Sequence, residues 1–489
     1  MKKHTPIGEN RRLFGAALVA SVLAVLILVN VSITALASRF GWYLYTEEKY
    51  EHTIGEASHA VLDENGEERV RVLFCMSRDE LEGDVIYSLV LNTMLQLAER
   101  YDFIDIEYKN IYLNPSEVKP FRTRTLATGE TVESPITERS VIFVSGEDAS
   151  VFRVESLESF FVLDDQEVIT AYNGEEVALS CLAWILRDSH PVAAFTALHG
   201  ENFGSLLSFS TALVAAGYDI SVIDLDADIP TGVELVVIAN PRWDFDRGAA
   251  GSGIDSELDR LGAYLDAGGS LFVSLDPYVK EELVSLRGFL AERGLSVTQD
   301  VIRDRENSVT PDGFTLVTHI ADGETGAAVA ARVGAHTDSR ALVREGSAIE
   351  CSAKGGWVAE PLLLSSSSAE TYRDGELVSD AGSFPVFAVS RPAEGGSRSR
   401  ILLSSSVYFL ANDALNSASY TNRDILLSAL ETASGMPAPV GCRVLAVGNQ
   451  RLEDLTMGTA RLYAWLLIAA LPLAVAAVGV AVTIRRKTR

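Results

Sequence analysis

Several short stretches are apolar almost without a break: 70–76, 141–144, 192–197, 233–239 and 270–275. A strand covered on both faces reads this way, because neither face has to meet water. Ile104-Asp105-Ile106-Glu107-Tyr108 instead alternates at period two, the signature of a half-buried strand. Helical spacing fills the gaps. Over 84–100, Val85, Leu89, Asn92, Leu95 and Ala98 fall near one face of a wheel, and 175–187 continues the same style. Further on, 203–216 runs to Gly217, 254–267 to Gly268-Gly269 and 280–293 to Gly294, and glycine commonly ends helices. With strands at 220–223, 386–389 and 401–404 and a helix at 422–434, the second part alternates strand and helix. That order predicts right-handed crossovers and a parallel sheet with helices on both faces.

The fold class expected is therefore α/β: a smaller N-terminal α/β domain over 37–188 and a larger parallel-sheet domain over 189–440. Ser189-His190-Pro191 marks the boundary, since proline disfavours helix in the residue before it. Residues 121–140 read as a loop or hairpin. Residues 300–380, rich in Gly, Ser, Thr and Asp, read as an insertion of short strands and loops.

Two apolar runs stand outside this pattern. Residues 13–36 and 462–484 carry no charge, and each exceeds the roughly 20 residues that cross a bilayer as a helix. Pro472 lies inside the second, where a membrane helix tolerates it. Lys2, Lys3, Arg11 and Arg12 precede the first run, and Arg485, Arg486, Lys487 and Arg489 follow the second. Basic flanks stay on the cytoplasmic side. The expectation is two transmembrane helices with residues 1–12 and 485–489 in the cytoplasm, 37–461 outside it, and 441–461 as a linker. Ala35-Leu36-Ala37 before Ser38 also fits a cleavable signal peptide. Either way the body lies outside.

Composition narrows the function. The 489 residues carry 67 acidic and 41 basic side chains, a formal net charge of −26. Such a chain is a poor phosphate-backbone binder, so no nucleic-acid partner is expected. Cys75, Cys181, Cys351 and Cys442 form no CxxC pair and read as free thiols, with Cys75 and Cys181 in apolar runs.

The sequence holds no GxxxxGK[ST], GxSxG, HExxH or post-strand GxGxxG, and no cofactor or metal is expected. His199-Gly200-Glu201 follows the strand at 192–197, where open parallel sheets place ligands. It reads either as a His/Glu pair in a crevice or as a glycine turn with two solvated side chains. Asp224, Asp226 and Asp228 have the opening spacing of a calcium loop. Ile229 and Leu235 then stand where Gly and Glu are needed, which makes a solvated acidic loop the better reading. Asp276-Pro277 is a turn initiator.

Taken in order, these pieces resemble the GldG-like proteins, auxiliary membrane components of ABC transporters. The pieces are LHGEN at 198–202, Ile229-Pro230, VVIANP at 236–241, YLDAGGSLFVSLDP at 264–277 and FLAERGLSV at 289–297. An N-terminal anchor precedes them, and LPLAVAAVGVAVTIRRKTR at 471–489 comes after. Leu198 stands where that family commonly has glycine, and Ser404-Ser405-Ser406 where related sequences often have Gly-Asp. The resemblance implies a glutamine-amidotransferase-like domain without its catalytic Cys. It also implies a noncatalytic accessory subunit whose partners are an ABC ATPase, a permease and an extracytoplasmic ligand. Small residues such as Ala469, Ala470, Ala474 and Gly479 suit helix packing against a permease. Two other classes remain open: a ligand-binding sensor, and a hydrolase or amidotransferase-like enzyme acting through His199 and Glu201.

Overall fold

The computed structural model describes residues 54–55, 62, 68–146, 151–163, 168–201, 206–246, 256–279, 282–334, 339–394, 396–417, 419–442, 444–446 and 465. The first expected membrane span, all of the second but Trp465, the basic tips and most of the 441–461 linker lie outside the described residues. Among the described residues no helix is long and apolar enough to cross a membrane. The chain divides into Met1–His52 and Thr53–Arg489, and every described residue falls in the second unit.

The first part of that unit is a four-stranded sheet, with strands β1 (Val70–Phe74), β2 (Ile104–Tyr108), β3 (Ser140–Ser145) and β4 (Val151–Ser156) in the order β2-β1-β3-β4. β1 and β2 are parallel; β3 runs against β1, and β4 against β3. Helix α1 (Tyr87–Arg100) buries Leu89, Val90, Met94 and Leu97. Of the face expected from the sequence, Leu89, Leu95 and Ala98 pack in the core, whereas Val85 precedes the helix and is 81% exposed, and Asn92 faces solvent. The Asp84 carboxylate accepts from the Ile86 and Tyr87 amides and starts the helix beyond Val85. The 121–140 stretch contains the hairpin Thr123–Thr125 with Thr131–Glu133. A small sheet comes next, β5 (Phe161–Leu163) and β6 (Ile169–Tyr172), and then helix α2 (Gly174–Ile185).

The large sheet begins after Pro191. Strands β7 (Val192–Thr196), β8 (Asp219–Ile223), β9 (Val233–Ala239) and β10 (Ser270–Ser274) alternate with helices α3 (Leu207–Ala215), α4 (Glu257–Asp266) and α5 (Val284–Ala291). β8-β7-β9-β10 are all parallel. β7 and β10 are buried at every position, and alternate residues serve opposite faces. Ala193, Phe195, Val237 and Phe272 pack with α3, while Val192, Ala194, Val236 and Val273 pack with α4 and α5. The apolar runs of the sequence thus report two covered faces.

The 300–380 region, expected as short strands and loops, holds short strands and one helix. Several of its strands join the large sheet. β11 (Leu295–Arg303), β12 (Thr315–Ile320), helix α6 (Glu324–Val333), β13 (Arg340–Arg344), β14 (Ser347–Cys351), β15 (Trp357–Leu364), β16 (Glu370–Arg373) and β17 (Glu376–Ser379) fill it. With β18 (Pro385–Pro392) and β19 (Ile401–Ser404), the ten-stranded sheet runs β8-β7-β9-β10-β19-β18-β15-β12-β13, and Ala353–Lys354 pairs onto β15. β19 is parallel to β10, and every strand beyond it is antiparallel to its neighbour. The wholly parallel sheet expected from the sequence is therefore a parallel half joined to an antiparallel half. β11 and β14 leave this sheet and form another with β16 and β17. Helix α7 (Asn422–Ser434) packs on the same face as α3. Beyond it Leu445 and Ala446, at the start of the expected linker, pair with Tyr172 and Ala171 of β6.

Candidate functional site

The chain leaves β7 for β8 on one side and later crosses to β9 on the other. Strand order reverses there, and the loops after β7 and β9 part at their carboxyl ends. Such a switch point is where open α/β sheets hold ligands.

His199 stands in the loop after β7, yet it is 6% exposed. Its ring lies flat on Phe245, centroids 3.8 Å apart and planes 10° from parallel. Nε2 is 3.1 Å and 3.2 Å from the two carboxylate oxygens of Glu257, on the first turn of α4. Glu257 also accepts from the Asp246 amide at 2.7 Å. On the other side, Nδ1 lies 3.7 Å from Glu201 Oε1 and has no hydrogen-bond partner. Glu201 turns back, accepting from Thr196 Oγ1 and from the His199 amide, each at 2.8 Å. The His199 carbonyl accepts from the Arg242 and Trp243 amides.

The reading of His199 and Glu201 as two solvated side chains needs correction. The pair is together, and neither side chain is solvated. Glu201 ties its own loop, and His199 joins that loop to 240–246 and to α4. Sequence reasoning missed Glu257 and Phe245. The signal available was the Ser256–Asp259 capping box, which fixes the start of α4 and so places Glu257 at the strand ends.

The loop conformation is demanding. Leu198 has φ +79° and Gly200 φ +78°, the left-handed region. A Cβ on Gly200 would sit 2.9 Å from the Arg242 Cβ, so glycine is required there on two counts. Leu198 has no such excuse: its side chain is 66% exposed.

The other candidates are structural. Asp224, Asp226 and Asp228 are exposed, and the Asp226 amide donates to the Asp224 carboxylate, which makes a turn. The Asp276 carboxylate takes the Tyr278 amide in the expected turn. Ser404, Ser405 and Ser406 are buried, and their hydroxyls donate to the Ser406, Ser347 and Arg344 carbonyls respectively, closing the end of β19. All four cysteines are free. Burial pushes the Cys75 thiol up to about 11 and Cys351 to about 12, and raises Cys181 as well. Burial of this kind works against a thiolate at these three positions. Among the described residues no cluster of three His, Cys, Asp or Glu side chains could hold a metal.

No protein-family model matches the sequence, and no curated protein matches it. Solved structures resemble it over half its length. The mmIFT52 N-terminal domain is 18% identical with a TM-score of 0.38, covering 50% of this chain and 98% of that one. PurLQS from Thermotoga maritima is 11% identical, TM-score 0.29, over 50% and 98%. A GMP synthase subunit protein from Thermoplasma acidophilum is 10% identical, TM-score 0.26, over 50% and 96%. Likenesses this distant carry no activity to this chain.

A second histidine bears on the architecture. His190, just before β7, stacks on Trp184 of α2 with ring centroids 3.8 Å apart. The Arg124 guanidinium lies 4.9 Å from the same indole and ion-pairs with Asp219 of β8, and Arg153 lies 5.8 Å from it. Desolvation, with Arg124, Arg187 and Arg153 nearby and only Asp219 opposing, holds His190 below the usual imidazole range.

Proposed function

We propose that this chain is a noncatalytic, membrane-anchored accessory subunit of an ABC-type transport system, its body outside the cytoplasm. Its large sheet would be a glutamine-amidotransferase-like domain that has lost the nucleophile. ATP hydrolysis and the pathway would belong to a separate ATPase and permease, and the apolar runs at 13–36 and 462–484 would be the anchors.

One observation carries the reading. Leu198, where the GldG-like family commonly has glycine, has φ +79°. The position calls for glycine on backbone grounds alone. The other matched pieces support it by falling in chain order on one structural stretch. LHGEN leaves β7, VVIANP ends β9, YLDAGGSLFVSLDP runs from α4 through β10, and FLAERGLSV links α5 to β11. A noncatalytic role also agrees with a histidine held between two carboxylates that already serve the backbone.

The test is a pull-down of the full-length tagged chain in mild detergent, with copurifying proteins identified by mass spectrometry. An ABC ATPase and a multispan permease should appear. A folded, monodisperse preparation that brings down neither would overturn the reading.

A further inference from the structure

At the carboxyl ends of β7, β9 and β10 the large sheet carries side chains that the His199 arrangement leaves unused. Leu198, after β7, is 66% exposed, Trp243, after β9, is 59% exposed, and Val284, which opens α5, is 66% exposed. They are neighbours. A Cβ on Gly200 would meet the Trp243 ring at 3.5 Å, and the Trp243 amide donates to the His199 carbonyl. Asp244 accepts from the Ser285 and Leu286 amides at 2.6 and 3.0 Å, which draws the start of α5 to the same loop. Large apolar side chains gathered on a surface and rimmed by polar groups mark a place of contact.

The backbone holds them there under strain. Five non-glycine residues among those described have φ in the left-handed region, and Leu198, Asn240, Leu283 and Glu345 all stand at this end of the sheet. Such strain gathers at functional surfaces. Carboxylates flank the apolar centre on both sides. Asp224 and Asp226, of the acidic loop after β8, are exposed. Asp276 follows β10 and lies near Glu345: burial, opposed by Arg344 and reinforced by Asp276 and Asp312, raises the Glu345 carboxyl. Arg344 is already paired with Asp413 at 2.8 Å, and Arg242 is exposed beside Trp243.

The charge selects the occupant. A second copy would press one acidic rim against another, and lipid phosphates would meet the same repulsion. The apolar centre from β7 to β10 covers two strand spacings, about 10 Å, which is the width of one helix. We propose that this face docks a basic amphipathic helix of a partner protein, its apolar side chains on Leu198, Trp243 and Val284 and its Lys or Arg side chains on Asp224, Asp226 and Asp276. The docking goes beyond the transport reading and holds whether or not the partner belongs to a transporter.

A peptide of about 18 residues, long enough to be helical, tests it on the full chain in nonionic detergent at about 0.15 M salt. It carries Leu on one face, Lys on the other and a benzoylphenylalanine among the leucines, and its counterpart has Glu for every Lys. Adducts mapped by mass spectrometry should fall on the segments bearing Leu198, Trp243 or Val284, and the Glu peptide should label them about tenfold less. Trp243→Ala, at an exposed position, should cut the labelling about tenfold with the melting temperature unchanged. Asp224→Asn with Asp226→Asn should cut it about threefold. Asp266→Asn with Asp322→Asn, exposed carboxylates at the opposite end of the sheet, removes the same charge and should leave the labelling alone. Equal losses from the two pairs, adducts away from this face, or full labelling of a folded Trp243→Ala chain would each overturn the proposal. So would self-association that Trp243→Ala abolishes, which gives the face to a second copy, or adducts of a photoactivatable phosphatidylcholine on the same segments, which give it to the membrane. The Lys and Glu peptides are compared on the unaltered chain, so a misfolded variant would not rescue the proposal.

Discussion

His190 and His199 bracket one strand, β7, and make the same first contact: each ring lies 3.8 Å from an aromatic ring, Trp184 or Phe245. Each leaves Nδ1 buried without a hydrogen-bond partner. Their electrostatic surroundings are opposite. His199 sits between the carboxylates of Glu201 and Glu257, whereas His190 faces Arg124, Arg153 and Arg187 with Asp219 as the one counter-charge. The difference teaches that a histidine beside a strand end has no role of its own. The chain around it decides whether it holds a loop through a carboxylate or fills space beside arginines as a neutral ring.

The comparison can be broken most forcefully at the aromatic partner. Trp184→Ala should cost about 3–5 kcal/mol, since the indole is buried and also faces Arg124 and Arg153. Urea unfolding of the purified chain would read this, and a loss below about 1 kcal/mol would mean that the two parts hold together without it. At the other end, Glu257→Ala strips a partner from both His199 Nε2 and the Asp246 amide, for about 2–4 kcal/mol. Glu257→Gln should recover part of that loss, because the amide oxygen can still accept. If Gln behaves as badly as Ala, the charge rather than the hydrogen bonds holds the loop.

A smaller effect runs the other way. Leu198→Gly should stabilise by about 1 kcal/mol, relieving a left-handed backbone at little cost in buried surface. A destabilised variant would show that the exposed leucine packs against something. The last prediction concerns pH. His190 is held below its ordinary value, so on acidification the unfolded chain takes up its proton first. Its contribution is complete above the ordinary histidine pKa of about 6.5 and is lost as pH falls through that value toward the depressed folded one. The urea midpoint should therefore drop between neutral and mildly acidic pH, and His190→Gln should flatten the drop. An unchanged slope would assign it to other groups.

The parallel half was legible because its strands are covered on both faces. VAAFT in β7 and SLFVS in β10 are buried throughout and could be read without knowing their neighbours. The antiparallel half was not. THI in β12 and RALVR in β13 mix polar and apolar residues, and β15 carries Pro361 where its register with β18 shifts. Those strands owe their place to pairing partners far along the chain, which no local pattern records. At the candidate site, His199 and Glu201 were visible as residues beyond a strand. That the imidazole is buried on Phe245 and held by Glu257, 58 positions away, depends on where α4 begins and how its first turn meets the sheet.

The pairing of Leu445 and Ala446 with β6 has a mechanical consequence. The Gly55 amide donates to Glu175, a few residues after β6 ends, so the chain at Gly55 and at Leu445–Ala446 is fastened to the stretch from Ala171 to Glu175. Tension applied between those two points loads this short stretch first. The large sheet hangs beyond it as a closed loop of chain, spared the load until one of the two clasps opens.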